Sequence, residues 1–312
     1  MKPRYSIVIP LYEEEAVLPQ LYERLAAVLE KLDGPAEIIF VVDGGQDRSF
    51  KIVKELRARD ERVKGLKFSR NFGHQYALTA GLDHARGEAV IMMDGDLQHP
   101  PELIPMLVEK WRAGAQIVST YRESTEGIGP LKRLTAALFY GLLNRFGNIR
   151  LSPNAADFRL IDRRVADRFS AIREQARFLR GLFAWVGFRQ AVVPYKAEKR
   201  PAGRTKYSPK KMGRLALDGI TSFSVAPLRV ATVLGLIVSF LGFAYAVYAL
   251  VVKLTGKAAL TGWSSLIIVV LLLGGVQLIT LGLLGEYIAK IYLEAKRRPL
   301  YIVDETVGLD EA

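Results

Sequence analysis

Two long uncharged stretches near the carboxyl end constrain this 312-residue chain more than any other feature. Val230 to Val252 runs for 23 residues without a charge, and Trp263 to Leu284 for 22 more. At about 1.5 Å of rise per residue, a helix of either length crosses a hydrocarbon core of roughly 30 Å. A buried core helix is the alternative for one such run; two in succession favour a membrane hairpin. They also account for a mean hydropathy of +0.14, high for a soluble enzyme. Lys210, Lys211, Arg214 and Arg229 precede the pair, Lys290, Lys296, Arg297 and Arg298 follow it, and the connector holds only Lys253 and Lys257. By the positive-inside bias, the turn faces outward and both long ends are cytosolic. The start, MKPRYSIVIP, has no apolar h-region or small-residue cleavage site, so no signal peptide is expected.

The part before the hairpin alternates strand and helix patterns. Tyr5–Pro10, Glu37–Asp43, Val63–Ser69 and Glu88–Asp94 are short β-rich runs, separated by helical stretches near Ala16–Leu32, Ser49–Ala58 and Gln75–Ala85. That order predicts an α/β fold with a mostly parallel sheet covered by helices on both faces. Such sheets bind ligands beyond the carboxyl ends of their strands. Three acidic, turn-rich segments stand there: Pro10-Leu-Tyr-Glu-Glu-Glu15, Asp43-Gly-Gly-Gln-Asp47 and Asp94-Gly-Asp-Leu-Gln98. Any one of them reads equally as a solvated turn with a helix-capping Asp. Three at successive strand ends point to a site.

Asp94 and Asp96 carry the most chemistry. Two carboxylates one residue apart on a turn can reach one hard cation, Mg2+ or Mn2+. A cation held there would bridge a nucleotide-sugar diphosphate and offset charge on the departing nucleoside diphosphate. The chain has no cysteine, which removes disulfides, zinc ribbons, iron–sulfur clusters and thiol nucleophiles, and its three histidines are scattered. It has neither a GxxxxGK[ST] loop nor a well-placed GxGxxG, which disfavours P-loop NTPases and dinucleotide-dependent dehydrogenases. A net charge of +12 calls for an anionic partner. Eight basic residues against one acid lie between Lys196 and Arg214, immediately before a membrane span, so lipid phosphate is a more natural partner than nucleic acid. Leu131 to Phe146 has an apolar helical stripe that suits either a membrane interface or a helix packed on the sheet.

Ser69-Arg-Asn-Phe-Gly-His-Gln75, Asp94-Gly-Asp-Leu-Gln98-His-Pro-Pro-Glu102 and Asp157-Phe-Arg-Leu160 together resemble the polyisoprenyl-phosphate glycosyltransferases. Phe178-Leu-Arg-Gly181, Trp185-Val-Gly-Phe-Arg-Gln190, Arg200-Pro-Ala-Gly-Arg-Thr-Lys-Tyr207, Ser222-Phe-Ser224, the two spans, and Gly285-Glu286 to Arg298-Pro299 extend the likeness over nearly the whole chain. This family includes bactoprenol glucosyltransferases and dolichol-phosphate mannose synthase and has a GT-A fold. The resemblance implies transfer of one hexose to a polyisoprenyl (undecaprenyl) phosphate at the cytoplasmic membrane, with inversion and a divalent metal. UDP-glucose is the donor best matched; GDP-mannose and a UDP-linked aminopentose use the same scaffold. Residues 1–195 would form the catalytic domain, 196–229 a basic juxtamembrane segment, 230–284 the hairpin and 285–312 a cytosolic tail, with homo-oligomers allowed.

By the same resemblance Asp94, Asp96 and Gln98 form the metal site. Pro10, Tyr12, Glu14, Asp43, Gln75, Asp94 and Asp96 hold the nucleotide-sugar, and Arg122, Arg133, Arg200 and Lys206 grip the acceptor phosphate. Asp157, in a segment that otherwise reads as loop, is the implied catalytic base. A phosphate monoester with a second pKa near about 6 is already mostly deprotonated at neutral pH, so orienting the phosphate and its basic clamp is as natural a role. A structural Asp paired with Arg159 or another Arg is the plainer alternative. Two positions depart from the family pattern: Val42 replaces the first acid of Val-Asp-Asp-Gly-Ser, and Glu13 replaces the Asn of Pro-x-Tyr-Asn-Glu-Glu. A processive polysaccharide synthase would carry QxxRW and more spans. A non-catalytic lipid-binding protein would not need three acidic strand ends.

Overall fold

A computed structural model describes residues 2–122, 141, 155–196, 221–222, 224–255 and 262–309. The four expected strands form as β1 (Tyr5–Leu11), β2 (Ala36–Val42), β3 (Val63–Phe68) and β4 (Ala89–Met92). Between them lie α1 (Leu18–Leu29), α2 (Ser49–Arg59) and α3 (His74–His84). Every residue of β1 is buried, because both faces of a central parallel strand are covered. Its side chains alternate accordingly: Tyr5, Ile7 and Ile9 pack beneath α1, whereas Val8 packs with Ala77 and Ala80 of α3 on the opposite face.

Further along come α4 (Ile104–Arg112), β5 (Ile117–Arg122), β6 (Ala155–Asp162), α5 (Arg163–Ala171), α6 (Leu179–Trp185) and β7 (Gln190–Tyr195). Two apolar helices, α7 (Ala226–Leu254) and α8 (Trp263–Ala295), precede a last strand, β8 (Val303–Val307). The sheet described has the order β7-β5-β6-β4-β1-β2-β3-β8. β4, β1, β2 and β3 are mutually parallel, and β7 is parallel to β5. β6 runs antiparallel between β4 and β5, and β8 antiparallel along β3.

Two features differ from expectation. Asp157 lies on β6 rather than in a loop; the polar and charged residues around it hide the alternation of a strand that is buried between two others. The segment 285–312 is also not a tail apart from the catalytic domain. α8 continues as helix beyond Leu284 to Ala295, and β8 then joins the catalytic sheet. Tyr301 stacks on Phe68 at 5.1 Å and donates to Asp83 Oδ2 at 2.8 Å, while Ser69 N–H donates to Ile302 O at 3.1 Å.

The apolar helices expose their length: spans of 27 and 30 residues, Ala226–Val252 and Leu266–Ala295, bury none of their most apolar window. Helices that present large apolar side chains all round need lipid or another apolar partner to cover them. Tyr287 OH, late in α8, donates to Ser224 O, just before α7, at 2.6 Å. Lys290 Nζ donates to Thr221 Oγ1 at 2.6 Å and Ser222 Oγ at 2.8 Å. The start of α7 and the end of α8 therefore lie together.

Close packing of α3 on β1 depends on Gly81, where a Cβ would stand 2.1 Å from Val8 Cγ1. Gly81→Ala is expected to destabilise the catalytic domain by about 1–3 kcal/mol, as overpacking a core does. Thermal unfolding of the detergent-purified protein measures it; an unchanged midpoint would show that α3 can rise off the sheet at no cost.

Candidate active site

The sheet brings the sequence-predicted acids together by its directions. Because β6 is antiparallel to β4, its amino end abuts the carboxyl end of β4. Met92 pairs with Arg159, and continuing that register by two residues sets Asp157 beside Asp94. At the carboxyl ends of β5 and β7, Arg122 pairs with Tyr195. The Tyr195 phenol is raised above its ordinary pKa by burial, opposed by nearby Arg122 and reinforced by Asp94 and Asp96. Asp94, Asp96, Arg122, Asp157 and Tyr195 thus share one edge of the sheet.

Gly95 explains how two carboxylates fit there. A Cβ at that position would meet Leu11 Cδ2 at 2.7 Å and Pro10 O at 3.2 Å, so the turn lies directly against β1. Leu97 follows with φ 59°, a left-handed conformation that costs a side-chain-bearing residue energy and is retained where the surroundings enforce it. Asp96 is 8% exposed and accepts from Gln98 N–H at 3.1 Å. Asp94 N–H donates to His99 Nδ1 at 3.2 Å, and His99 itself stacks on Phe158 at 5.5 Å. The same nitrogen lies 3.6 Å from the Asp94 carboxylate.

Asp94 Oδ1 is buried without a hydrogen-bond partner, with His74 Nε2 3.3 Å away. An orphaned carboxylate oxygen beside a second carboxylate suits a hard divalent cation. Among the described residues no group of three or more His, Cys, Asp or Glu could hold a metal. Two carboxylates are the number with which proteins commonly hold Mg2+ when phosphate oxygens and water complete the octahedron.

Asp157 is clamped. Arg180 donates through Nε to Oδ1 and through Nη2 to Oδ2, both at 2.9 Å, and Arg159 Nη2 adds a contact at 3.3 Å. Burial alone would raise this carboxyl; Arg180 and then Arg159 outweigh it and hold the group far below the usual carboxylate range. Arg159 is 3% exposed and lies over the Phe183 ring at 4.5 Å. Burial lowers its guanidinium to about 10, against the pull of Asp157. Asp157 is consequently a fixed anion at any physiological pH.

The acidic turns after β1 and β2 are largely structural. Asp43 is buried, and its two oxygens accept from Phe72 N–H at 2.7 Å and Gly73 N–H at 2.9 Å. It shapes the loop leading into α3. Asp47 accepts from Ser49 Oγ at 2.5 Å and Glu15 N–H at 3.2 Å, tying the two turns together. Gln75 Oε1 accepts from Leu179 N–H at 3.0 Å, next to Arg180. Pro10 is buried in β1, Tyr12 is exposed at its end, and Glu14 N–H donates to Ser49 Oγ at 3.3 Å. Arg133, Arg200, Lys206 and the Leu131–Phe146 stripe lie outside the described residues. The pairing of Asp157 with Arg159 was the plainer alternative in the sequence, whereas the roles of Arg180, His74, His99 and Tyr195 are not legible in spacing.

The glycosyl transferase family 2 model matches residues 6–169, and a model described as the GtrB C-terminal hairpin matches residues 226–291. The chain is 47% identical over 307 residues to the uncharacterized glycosyltransferase YkcC of Bacillus subtilis, covering 98% of this chain and 95% of that one. It is 43% identical over 300 residues to the bactoprenol glucosyl transferase of Shigella phage SfV, covering 96% and 98%. The glucosyl-3-phosphoglycerate synthase of Mycobacterium tuberculosis, solved with UDP, aligns at 20% identity and a TM-score of 0.45, over 71% of this chain and 79% of that one. The chain belongs to glycosyl transferase family 2: it is a glycosyltransferase with a GT-A fold, followed by two helices apolar and long enough to cross a membrane.

Removing the charge of Asp157 strands two arginines. Asp157→Asn is expected to cost about 3 kcal/mol of stability, the usual consequence of breaking a buried pair. Because the folded pKa is depressed, this contribution is fully present above the unfolded value near about 4 and is lost only as pH falls through the folded one. Denaturation from pH 9 to 5 should show a constant deficit; one that grows or shrinks across that window would contradict the assignment.

Proposed function

We propose that the protein transfers one hexose, best matched by glucose from UDP-glucose, to a polyisoprenyl phosphate of the undecaprenyl class at the cytoplasmic membrane face. The observation that carries this reading is the meeting of Asp94, Asp96 and the Arg180–Asp157–Arg159 cluster at one sheet edge, in a chain whose membrane helices return to that same sheet. The names of the bactoprenol glucosyl transferase relatives support the acceptor. A cation at Asp94 and Asp96, Mg2+ or Mn2+, would neutralise charge on the diphosphate as it leaves.

The remaining work falls to side chains. Arg122, together with Arg133, Arg200 and Lys206, draws the acceptor phosphate to the sheet edge. Arg180, partly exposed and fixed by Asp157, would add its positive charge beside that phosphate. Asp157 is a positioning residue: a carboxylate held so far below neutrality is a poor base, and the phosphate dianion needs none. In-line attack on the anomeric carbon then inverts it in one displacement. GDP-mannose and UDP-aminopentose donors remain the alternatives on the same scaffold.

The decisive experiment incubates purified protein with polyprenyl phosphate and a panel of radiolabelled nucleotide-sugars, read by lipid extraction. Label should enter lipid from UDP-glucose, and Asp96→Asn or excess chelator should abolish most of it. Full activity in chelator would remove the metal from the account. Asp157→Asn should lower kcat by about 10²-fold, because small misplacement of a nucleophile is expensive. That loss should be equal from pH 6 to 8.5; a defect that disappears at high pH would restore a general base. Topologically, reporters fused at Lys257 and at the carboxyl terminus should lie on opposite sides of the membrane, the second in the cytosol; same-side labelling would overturn the hairpin.

A further inference from the structure

A cleft of about 470 Å3 opens at the carboxyl ends of β1, β2 and β3, bordered by Tyr12, Glu13, Gly45, Lys67, Arg70 and Asp304. A second of about 250 Å3 adjoins it across Gly44, Gly45 and Lys67 and reaches Glu305. In the strand order β4-β1-β2-β3 these clefts lie across β1 from Asp94. A nucleotide whose diphosphate meets Asp94 and Asp96 would lay its nucleoside here. Gly44, with φ +69°, forms the floor: a Cβ there would meet Asn71 N at 2.5 Å.

One wall of the cleft is chain that has already passed through both apolar helices. Lys67 pairs in register with Glu305 and Phe68 with Val303, so Asp304 is the extra residue of a β-bulge. Bulges at sheet edges re-aim side chains, often beside active sites. Asp304 lies 3.9 Å from Lys67 Nζ, with the two side chains 55% and 33% exposed. That separation is beyond hydrogen-bond range, and an exposed pair of this kind opens easily. The acids nearer the strand ends are already engaged, Asp43 by Phe72 and Gly73 and Asp47 by Ser49 and Glu15.

We propose that Asp304 and Lys67 form the base-reading edge of the donor pocket and select a keto base, one presenting a lactam N–H beside a carbonyl. This rests on the nucleotide-sugar reading above. A carboxylate only accepts and an ammonium only donates, so Asp304 accepts from the lactam N–H and Lys67 donates to the adjacent carbonyl. Uracil and guanine offer that edge. Cytosine and adenine place a ring-nitrogen acceptor where the N–H should be, which opposes two acceptors and leaves a costly unpaired group.

Titration calorimetry of the full-length protein in detergent with Mg2+ and UDP, GDP, CDP or ADP tests this. The wild type should bind UDP or GDP at least about tenfold tighter than CDP and ADP, the better of the two identifying the base. Asp304→Asn should weaken that nucleotide about tenfold and narrow the gap to CDP, because an amide can donate to a ring nitrogen. Lys67→Met should weaken it similarly. If Asp304→Asn and Lys67→Met leave the ranking intact, or weaken all four nucleotides equally, the inference fails while the donor reading stands. A wild type that binds none of the four would overturn both.

Discussion

The pairing of β8 with β3 is the contact on which the rest of this molecule depends. A chain that leaves a catalytic sheet, forms two membrane-length helices and then hydrogen-bonds back to the same sheet has no choice about where its helices end. The start of α7 and the end of α8 lie together, and the chain beyond α8 is held on the catalytic sheet. Entropy makes the same point: an ordinary tail would stay free, and this one is ordered because Tyr301 buries its ring on Phe68 and completes the Asp83 ion cluster. Lys54 on α2 and Glu305 on β8 are ion-paired across 251 residues of sequence.

From that anchor a second chain of contacts runs to the chemistry. Glu294, at the end of α8, accepts from Gln175 N–H at 2.6 Å, and Tyr76 of α3 donates to Gln175 O at 2.6 Å. A few residues on, Gln75 holds Leu179 and Arg180 holds Asp157. The segment between α5 and α6 is therefore fixed at once by α8, by α3 and by the site, so the apolar helices and the Asp157 cluster are tied together through one short stretch of chain.

Much of this was legible in the sequence, and the failures have physical reasons. β1, β2 and β4 announced themselves because doubly covered strands are largely apolar. Asp94 and Asp96 were legible as a pair because their spacing is local. β8 was not: Val-Asp-Glu-Thr-Val carries too few apolar residues for an edge strand to stand out from a tail. That Asp43 accepts from two backbone amides was not legible, since a strand-end acid looks the same in sequence whatever it meets. Arg180 could not be tied to Asp157 by inspection, since 23 residues and a helix start separate them and only the fold of β6 against α6 closes the gap.

The measurement that most directly tests this account is deletion of residues 300–312 in the membrane-embedded enzyme, with insertion of the hairpin and glycosyl transfer scored on the same sample. If the returning strand is part of the catalytic domain, the helices should still insert while nucleotide binding and transfer are both lost. A truncated protein that inserts and transfers sugar at the full rate would contradict the account, because catalysis would then need neither β8 nor the cleft wall it builds.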